Sequence, residues 1–142
     1  MKSMGMKTFE KVLVFVMRNE GTYDFVNITP SYIYICDLLG IGENASYDIE
    51  SIRLGKKHFD MFTDTERYRS AYAVTGYNAD KSRWIIGAFV LGKRDKNNNM
   101  IPLSKSDMTA IEDNIRVTCN RYVNVLGIRH YVNSFILSAE FD

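Results

Sequence analysis

The 142-residue sequence has few of the residues from which metal sites and disulfide frameworks are built, with two cysteines, Cys36 and Cys119, and two histidines, His58 and His130. Neither a C-x-x-C nor an H-E-x-x-H spacing occurs, so the pattern excludes the usual zinc sites, and we expect neither a metal nor a cofactor. The short apolar run near the start lacks the features of a secretion signal. We therefore interpret both cysteines as reduced thiols in the core of a cytoplasmic protein.

The sequence also lacks long hydrophobic runs, a strong charge imbalance and the glycine-rich motifs of nucleotide-binding folds. No stretch approaches the ~18 apolar residues of a membrane span, and we expect no membrane contact. Eighteen basic and seventeen acidic side chains leave a net charge of +1, so nucleic acid is a less favoured partner. There is no P-loop, no G-x-G-x-x-G and no G-x-S-x-G motif, which favours a binding function over a catalytic one.

The strongest pattern present predicts an amphipathic helix from Lys105 to Leu126. Ser104 is placed as its N-cap, Asp107 completes a capping box, and Gly127 follows its end. Its apolar positions recur at helical spacing and fall within one stripe. They are Met108, Ile111, Ile115, Cys119, Tyr122 and Leu126. We expect this stripe to lie across the sheet.

Shorter patterns predict the first half of the chain. Val12 to Met17 is apolar on both alternating faces, which is typical of a central strand, and Thr22 to Ile28 follows as its hairpin partner. Thr29 and Pro30 open a short helix that Gly40 ends. The remaining predictions are a strand at Tyr47 to Leu54, an irregular connection at Gly55 to Glu66, a hairpin of Arg67 to Tyr77 with Arg83 to Leu91, a polar loop at Lys93 to Asn99 and a strand at Tyr131 to Phe141.

Together these elements predict a single α+β domain over residues 1–142, with residues 1–8 as a flexible N-terminal extension. We expect a two-layer sandwich in which a mostly antiparallel sheet of about six strands carries two helices on one face. The order ββαβ-ββαβ, with Leu-Gly-Ile ending each predicted helix, suggests a structural repeat.

Arginine, aromatic and asparagine side chains on the second predicted hairpin and the long predicted helix are the candidates for a ligand site. They are Arg67, Arg69, Tyr72, Arg83, Trp84, Arg116 and Asn120. Guanidinium groups bind phosphate through paired donors, and aromatic rings stack on bases. The alternative interpretation is cross-strand packing for the sheet residues and an ordinary ion pair of Glu112 with Arg116 on the helix.

Two basic clusters lie outside that candidate site. We interpret Lys56-Lys57-His58 and Lys93-Arg94-x-Lys96 as solubilising loops. His58 lies near Asp60 in the sequence, and the alternative function for this pair is a general base with an orienting carboxylate.

We therefore expect a non-enzymatic and homo-oligomeric binding module for a small phosphorylated or nucleotide-like ligand, because open strand edges are often paired by symmetry. One alternative is a protein-protein interaction or assembly protein of a virus or mobile element, acting as an inhibitor or structural subunit. Another is a small phosphoesterase or transferase that uses His58 or His130.

Overall fold

The computed structural model describes residues 10–19, 21–42, 44–67, 74–78, 84–117, 121–125, 127–132 and 135–141. Within these ranges the elements follow in this order: β1 (Val12–Met17), β2 (Tyr23–Ile28), α1 (Tyr32–Leu39), β3 (Tyr47–Leu54), β4 (Lys57–Asp64), β5 (Val74–Asn78), β6 (Trp84–Ile86), β7 (Phe89–Arg94), β8 (Met100–Ile101), α2 (Lys105–Asp113), β9 (Ile115–Val117), β10 (Arg121–Val125), β11 (Ile128–Val132), β12 (Phe135–Leu137) and β13 (Glu140–Phe141). The predicted N-terminal extension and Cys119 lie outside the described residues.

The main sheet has the strand order β13-β3-β4-β7-β1-β2, and β8 pairs with the end of β7. Every pairing in it is antiparallel. The predicted class, an α+β fold with a mostly antiparallel sheet of about six strands, is confirmed. A second sheet has the order β6-β5-β12-β9, and β10 pairs with β11 as a separate hairpin.

The side chains of β1 enter two apolar clusters on opposite faces of the main sheet. Phe15 packs on the face that carries Ile111 of α2, whereas Val14 and Val16 pack on the face that carries Ile35 of α1. The prediction of both helices on one face is therefore wrong. A central strand that is apolar on both alternating faces needs cover on both sides, and each helix supplies one side.

The predicted helix from Lys105 to Leu126 is correct at its start and wrong beyond Asp113. Ser104 and Asp107 form the predicted capping box, in which each side chain accepts a hydrogen bond from the other residue's backbone N–H. After the helix the chain continues as β9 and β10, so Ile115 and Tyr122 of the predicted apolar stripe lie in strands, and Leu126, like Cys119, lies outside the described residues.

Asn114 shows why the helix ends. Its side-chain Nδ2 donates to the carbonyl of Ala110 at 2.7 Å, and its own carbonyl accepts from the backbone N–H of Ser138 at 2.8 Å. That carbonyl is thus bonded to a distant segment instead of a following helical turn. The next residues include the β-branched Ile115 and Val117, which favour a strand.

The prediction of an irregular connection at Gly55 to Glu66 is also wrong, because this segment forms the turn and second strand of the β3–β4 hairpin. Leu54 pairs with Lys57, and Gly55 between them has φ 62°, a left-handed conformation that glycine adopts without strain. Side chains of β4 alternate between the two faces, with Phe59 and Met61 in the α2 cluster. The charged residues between them concealed this alternation in the sequence.

Other boundaries differ from the predictions in smaller ways. Gly40 ends α1 with φ 71°, as predicted, but the N-cap is Ser31 and not Thr29. The predicted strand ending at Leu91 is two strands, since Gly87 with φ 79° separates β6 from β7. The predicted strand from Tyr131 to Phe141 is likewise divided among β11, β12 and β13, and the predicted loop at Lys93 to Asn99 begins with the last residues of β7.

The suggested ββαβ repeat is not present in the described residues. Gly127 lies in the turn between β10 and β11 and not at the end of a helix. Gly40 therefore ends a helix, whereas Gly127 lies between two strands.

Candidate functional site

The structure describes three of the seven predicted ligand-binding residues, and these three lie apart from one another. Arg69, Tyr72, Arg83 and Asn120 lie outside the described residues. The three that are described lie on different elements, and they are Arg67, Trp84 and Arg116.

Trp84 and Arg116 belong to opposite edges of the second sheet. The register places Trp84 beside Tyr77, Tyr77 beside Ile136, and Ile136 beside Arg116. Three steps between strands separate the backbones of Trp84 and Arg116 by about 14 Å. Because Arg116 lies in β9, the predicted helical row of Glu112, Arg116 and Asn120 is wrong.

Arg67 follows the end of β4 and holds neighbouring segments together. Its Nη1 donates to Asp48 Oδ2 at 2.8 Å and to the carbonyl of Asp64 at 3.1 Å, and its side chain is only 13% exposed. The hydrogen bond from Arg67 lowers the pKa of the Asp48 carboxyl, helped by a second bond from Thr65. This arrangement fastens the end of β4 to the start of β3.

A more concentrated group of charges lies at the other end of β4, where the main sheet splits. Strands β4 and β7 pair from Thr63 with Phe89 as far as Asp60 with Gly92. Beyond that pair, β4 follows β3, whereas the end of β7 pairs with β8. The diverging strands leave a cleft of about 410 Å³.

The cleft is mostly basic. Its charged and ionisable lining residues are Lys56, Lys57, His58, Asp60, Lys93 and Arg94, and Ser51, Phe59 and Ile101 complete it. The basic side chains among them come from the two clusters that the sequence analysis treated as separate solubilising loops. The β4–β7 cleft is therefore the candidate site that sequence reasoning missed.

Lys57 and Lys93 are held from the α2 side of the sheet by one carboxylate. Lys93 Nζ lies 2.8 Å from Asp107 Oδ1, and Lys57 Nζ lies 3.6 Å from the same oxygen. Lys57 Nζ also donates to Ser106 Oγ at 2.9 Å, and Lys93 Nζ lies 5.4 Å from the centroid of the Phe59 ring. These contacts fix both ammonium groups.

The pKa of Asp107 reflects two opposed effects. Burial of its side chain, which is 3% exposed, raises the pKa. The hydrogen bonds from Lys93 and from Ser104 together outweigh burial, and the pKa of Asp107 lies below its usual value. The carboxylate is therefore ionised and stabilises the two lysines.

Arg94 and Asp60 form the other wall, on the α1 side of the sheet. Arg94 Nε donates to Asp60 Oδ2 at 3.0 Å, and its Nη2 donates to Asp60 Oδ1 at 3.4 Å. This two-point contact sets the plane of the guanidinium and leaves further N–H donors on Arg94 for another acceptor. The exposed His58 lines the same cleft, but both oxygens of the nearby Asp60 accept from Arg94.

The formal charges around the cleft do not cancel. Lys56, Lys57, Lys93 and Arg94 contribute four positive charges, and Asp60 and Asp107 contribute two negative charges. The exposed Lys56 has no hydrogen bond or ion pair within the described part of the chain. The cleft therefore carries a net charge of +2 with His58 neutral, twice the net charge of the whole protein.

An aromatic stack lies on the α1 side of the sheet. The rings of Tyr32 and Tyr47 are stacked with centroids 5.1 Å apart, and Tyr47 contacts Phe62 edge-on at 5.5 Å. Burial raises the pKa of Tyr47, as does Cys36, a buried free thiol on α1, whereas the positive charge of Arg94 acts in the opposite direction.

Comparison with known proteins identifies no relative, since no family model, no curated protein and no solved structure matches this chain. Among the described residues, no group of three or more His, Cys, Asp or Glu side chains is arranged to hold a metal ion. Neither α1 nor α2 has the length and apolar content needed to cross a bilayer.

Proposed function

We propose that this protein binds a small phosphorylated ligand, without reacting with it, and that the phosphate lies in the β4–β7 cleft. The observation that carries the proposal is the excess of two positive charges in a cleft where Asp107 holds Lys57 and Lys93 and Asp60 holds Arg94. A phosphate monoester carries a charge of about −1.5 to −2 at pH 7, which matches that excess.

The chemistry of the lining side chains supports the same ligand. The orientation of Arg94 by Asp60 presents a planar set of donors, the geometry that suits phosphate oxygens. Lys56 adds a charge with no partner among the described residues. Fixed donors lose little side-chain entropy when a ligand binds, so even a small anion gains affinity from such a site.

Calorimetric titration with ribose 5-phosphate tests the proposal. We expect wild-type protein to bind, and we expect Lys56→Ala to weaken binding about tenfold because one direct charge is lost. Lys96→Ala is the matched control, since Lys96 is an exposed lysine on the adjacent β7–β8 turn that does not line the cleft. It should bind as the wild type does.

Two results would count against the function. One is the absence of heat and of thermal stabilisation with millimolar ribose 5-phosphate, since a ligand that binds the folded state must stabilise it. The other is an equal loss of affinity in Lys56→Ala and Lys96→Ala, which would show general charge attraction and no defined site.

A further inference from the structure

The face of the main sheet that carries α1 changes from charged to apolar within a short distance of the cleft. Ser51 lines the cleft opposite Asp60, and Ile49, two residues earlier on β3, lies opposite Phe62 on the same face. Two residues along a strand correspond to about 7 Å. Ile49 is 38% exposed, so apolar surface begins directly beside the charged cleft.

The aromatic stack continues this apolar surface. Tyr32 remains 42% exposed although its ring stacks on Tyr47. The edge-on contact of Tyr47 with the buried Phe62 holds the lower ring in place. The stack is therefore a fixed aromatic platform with a face or edge still open to solvent.

We infer that the ligand is a nucleoside monophosphate whose phosphate lies in the β4–β7 cleft and whose base stacks at Tyr32 and Ile49. This inference rests on the proposed function, because it takes the phosphate position from it. Along β3, Ile49 lies about 7 Å from Ser51, and Tyr47, on which Tyr32 stacks, lies about 14 Å from it. The ligand therefore extends from the cleft over Ile49 to the stack, where aromatic side chains bind bases of any sequence through their π-faces.

Three compounds separate the two parts of the ligand: ribose 5-phosphate, adenosine and AMP, each titrated calorimetrically. We expect AMP to bind about tenfold more tightly than ribose 5-phosphate, since stacking adds to phosphate binding. Tyr32→Ala should reduce AMP affinity to that of ribose 5-phosphate and leave ribose 5-phosphate affinity unchanged. Tyr32→Phe should keep AMP affinity, because the ring remains.

Tyr34→Ala is the matched control. Tyr34 is a tyrosine on the same helix with 46% exposure, but two residues on from Tyr32 it lies about 200° around the helix, away from the sheet. It should bind AMP as the wild type does. Ile49→Ser tests the platform without changing α1, and it should weaken AMP binding and not ribose 5-phosphate binding.

The outcomes distinguish the two proposals. If neither ribose 5-phosphate nor AMP binds, the proposed function fails and this inference fails with it. If both bind equally, or if Tyr32→Ala and Tyr34→Ala behave alike, only the base position is wrong. Tenfold tighter binding of a uridine octanucleotide than of UMP would overturn the mononucleotide assignment in favour of single-stranded RNA.

Discussion

Lys93 Nζ lies 2.8 Å from Asp107 Oδ1, and this one contact joins the end of β7 to the first turn of α2. The same carboxylate accepts from the backbone N–H of Ser104 at 2.8 Å, so the helix cap and the cleft share a single buried group. Asp107, which the sequence identifies as part of the helix cap, thus also holds two lysines of the cleft in place.

Asp107→Asn should destabilise the protein by about 2 kcal/mol, because it removes the charge that Lys93 pairs with in a buried setting. Asp113→Asn is the matched control, since Asp113 is an exposed aspartate of the same helix and its change should stay within about 0.5 kcal/mol. Urea unfolding measures both. Equal stability of the two variants would contradict the role assigned to Asp107.

The free energy of unfolding should decrease at acid pH because Asp107 becomes protonated. The folded-state pKa of Asp107 lies below its usual value, so its contribution is complete above about pH 4, the unfolded-state pKa, and is lost as the pH falls through the folded-state pKa. The pKa of Asp48 is also lowered, mainly by the hydrogen bond from Arg67, so Asp48 gives the stability the same pH dependence.

Unfolding free energies from pH 7 down to pH 3 check this pH dependence. Asp107→Asn lacks the group and should lose less stability in acid, so the gap between wild type and variant should narrow as the pH falls. Parallel curves for the two proteins would mean that Asp107 does not contribute.

Asp24→Ala should make the protein self-associate. In the β1–β2 hairpin Arg18 N–H donates to the carbonyl of Thr22, so the alternation turns the amide of Phe25 towards the outer edge of β2, where no strand pairs in the described part of the chain. Asp24 Oδ1 accepts from that amide at 2.8 Å and so blocks it from another chain. Any self-association of the unaltered protein should therefore use a different surface.

Sedimentation at rising protein concentration measures the effect of Asp24→Ala. Asp37→Ala makes the same charge change on α1, away from this edge, and should sediment as the wild type does. Identical sedimentation of the two variants would show that Asp24 does not protect the edge.

Arg67→Ala should cost about 2 kcal/mol of stability, because a largely buried guanidinium that bonds Asp48 and a backbone carbonyl is lost. Arg53→Ala, which breaks an exposed ion pair with Glu140, should cost less than about 1 kcal/mol. Both variants should bind ribose 5-phosphate normally. Loss of binding in a folded Arg67→Ala protein would instead return the ligand site to the residues predicted from the sequence.

The features that could be predicted from the sequence are those that depend on near neighbours along the chain. The central strand at Val12 to Met17, the end of α1 at Gly40, and the capping box of Ser104 with Asp107 each depend on a few adjacent residues. The end of α2 could not be predicted in the same way. The carbonyl of Asn114 is bonded to Ser138, far along the chain, and no local pattern contains that information.

The cleft could not be predicted for a related reason. Arg94 and Asp60 are separated by 34 residues, and they meet because the β4–β7 pairing stops at Asp60 with Gly92. Each basic cluster is visible in the sequence, but the register that combines them depends on which strands pair. The sequence pattern predicted a loop in place of β4, so the pairing of β4 with β7 that forms the cleft was not predicted.

Amide chemical-shift mapping during titration with ribose 5-phosphate tests the position of the site most directly. We predict that the largest shifts fall on residues 56–60 and on Lys93 and Arg94, with saturation at one ligand per chain. The amides of Asp48 and Arg67, at the far end of β4, should not move. Shifts that centre on Arg67 or on the second sheet, or an unchanged spectrum at millimolar ligand, would contradict phosphate binding in the β4–β7 cleft.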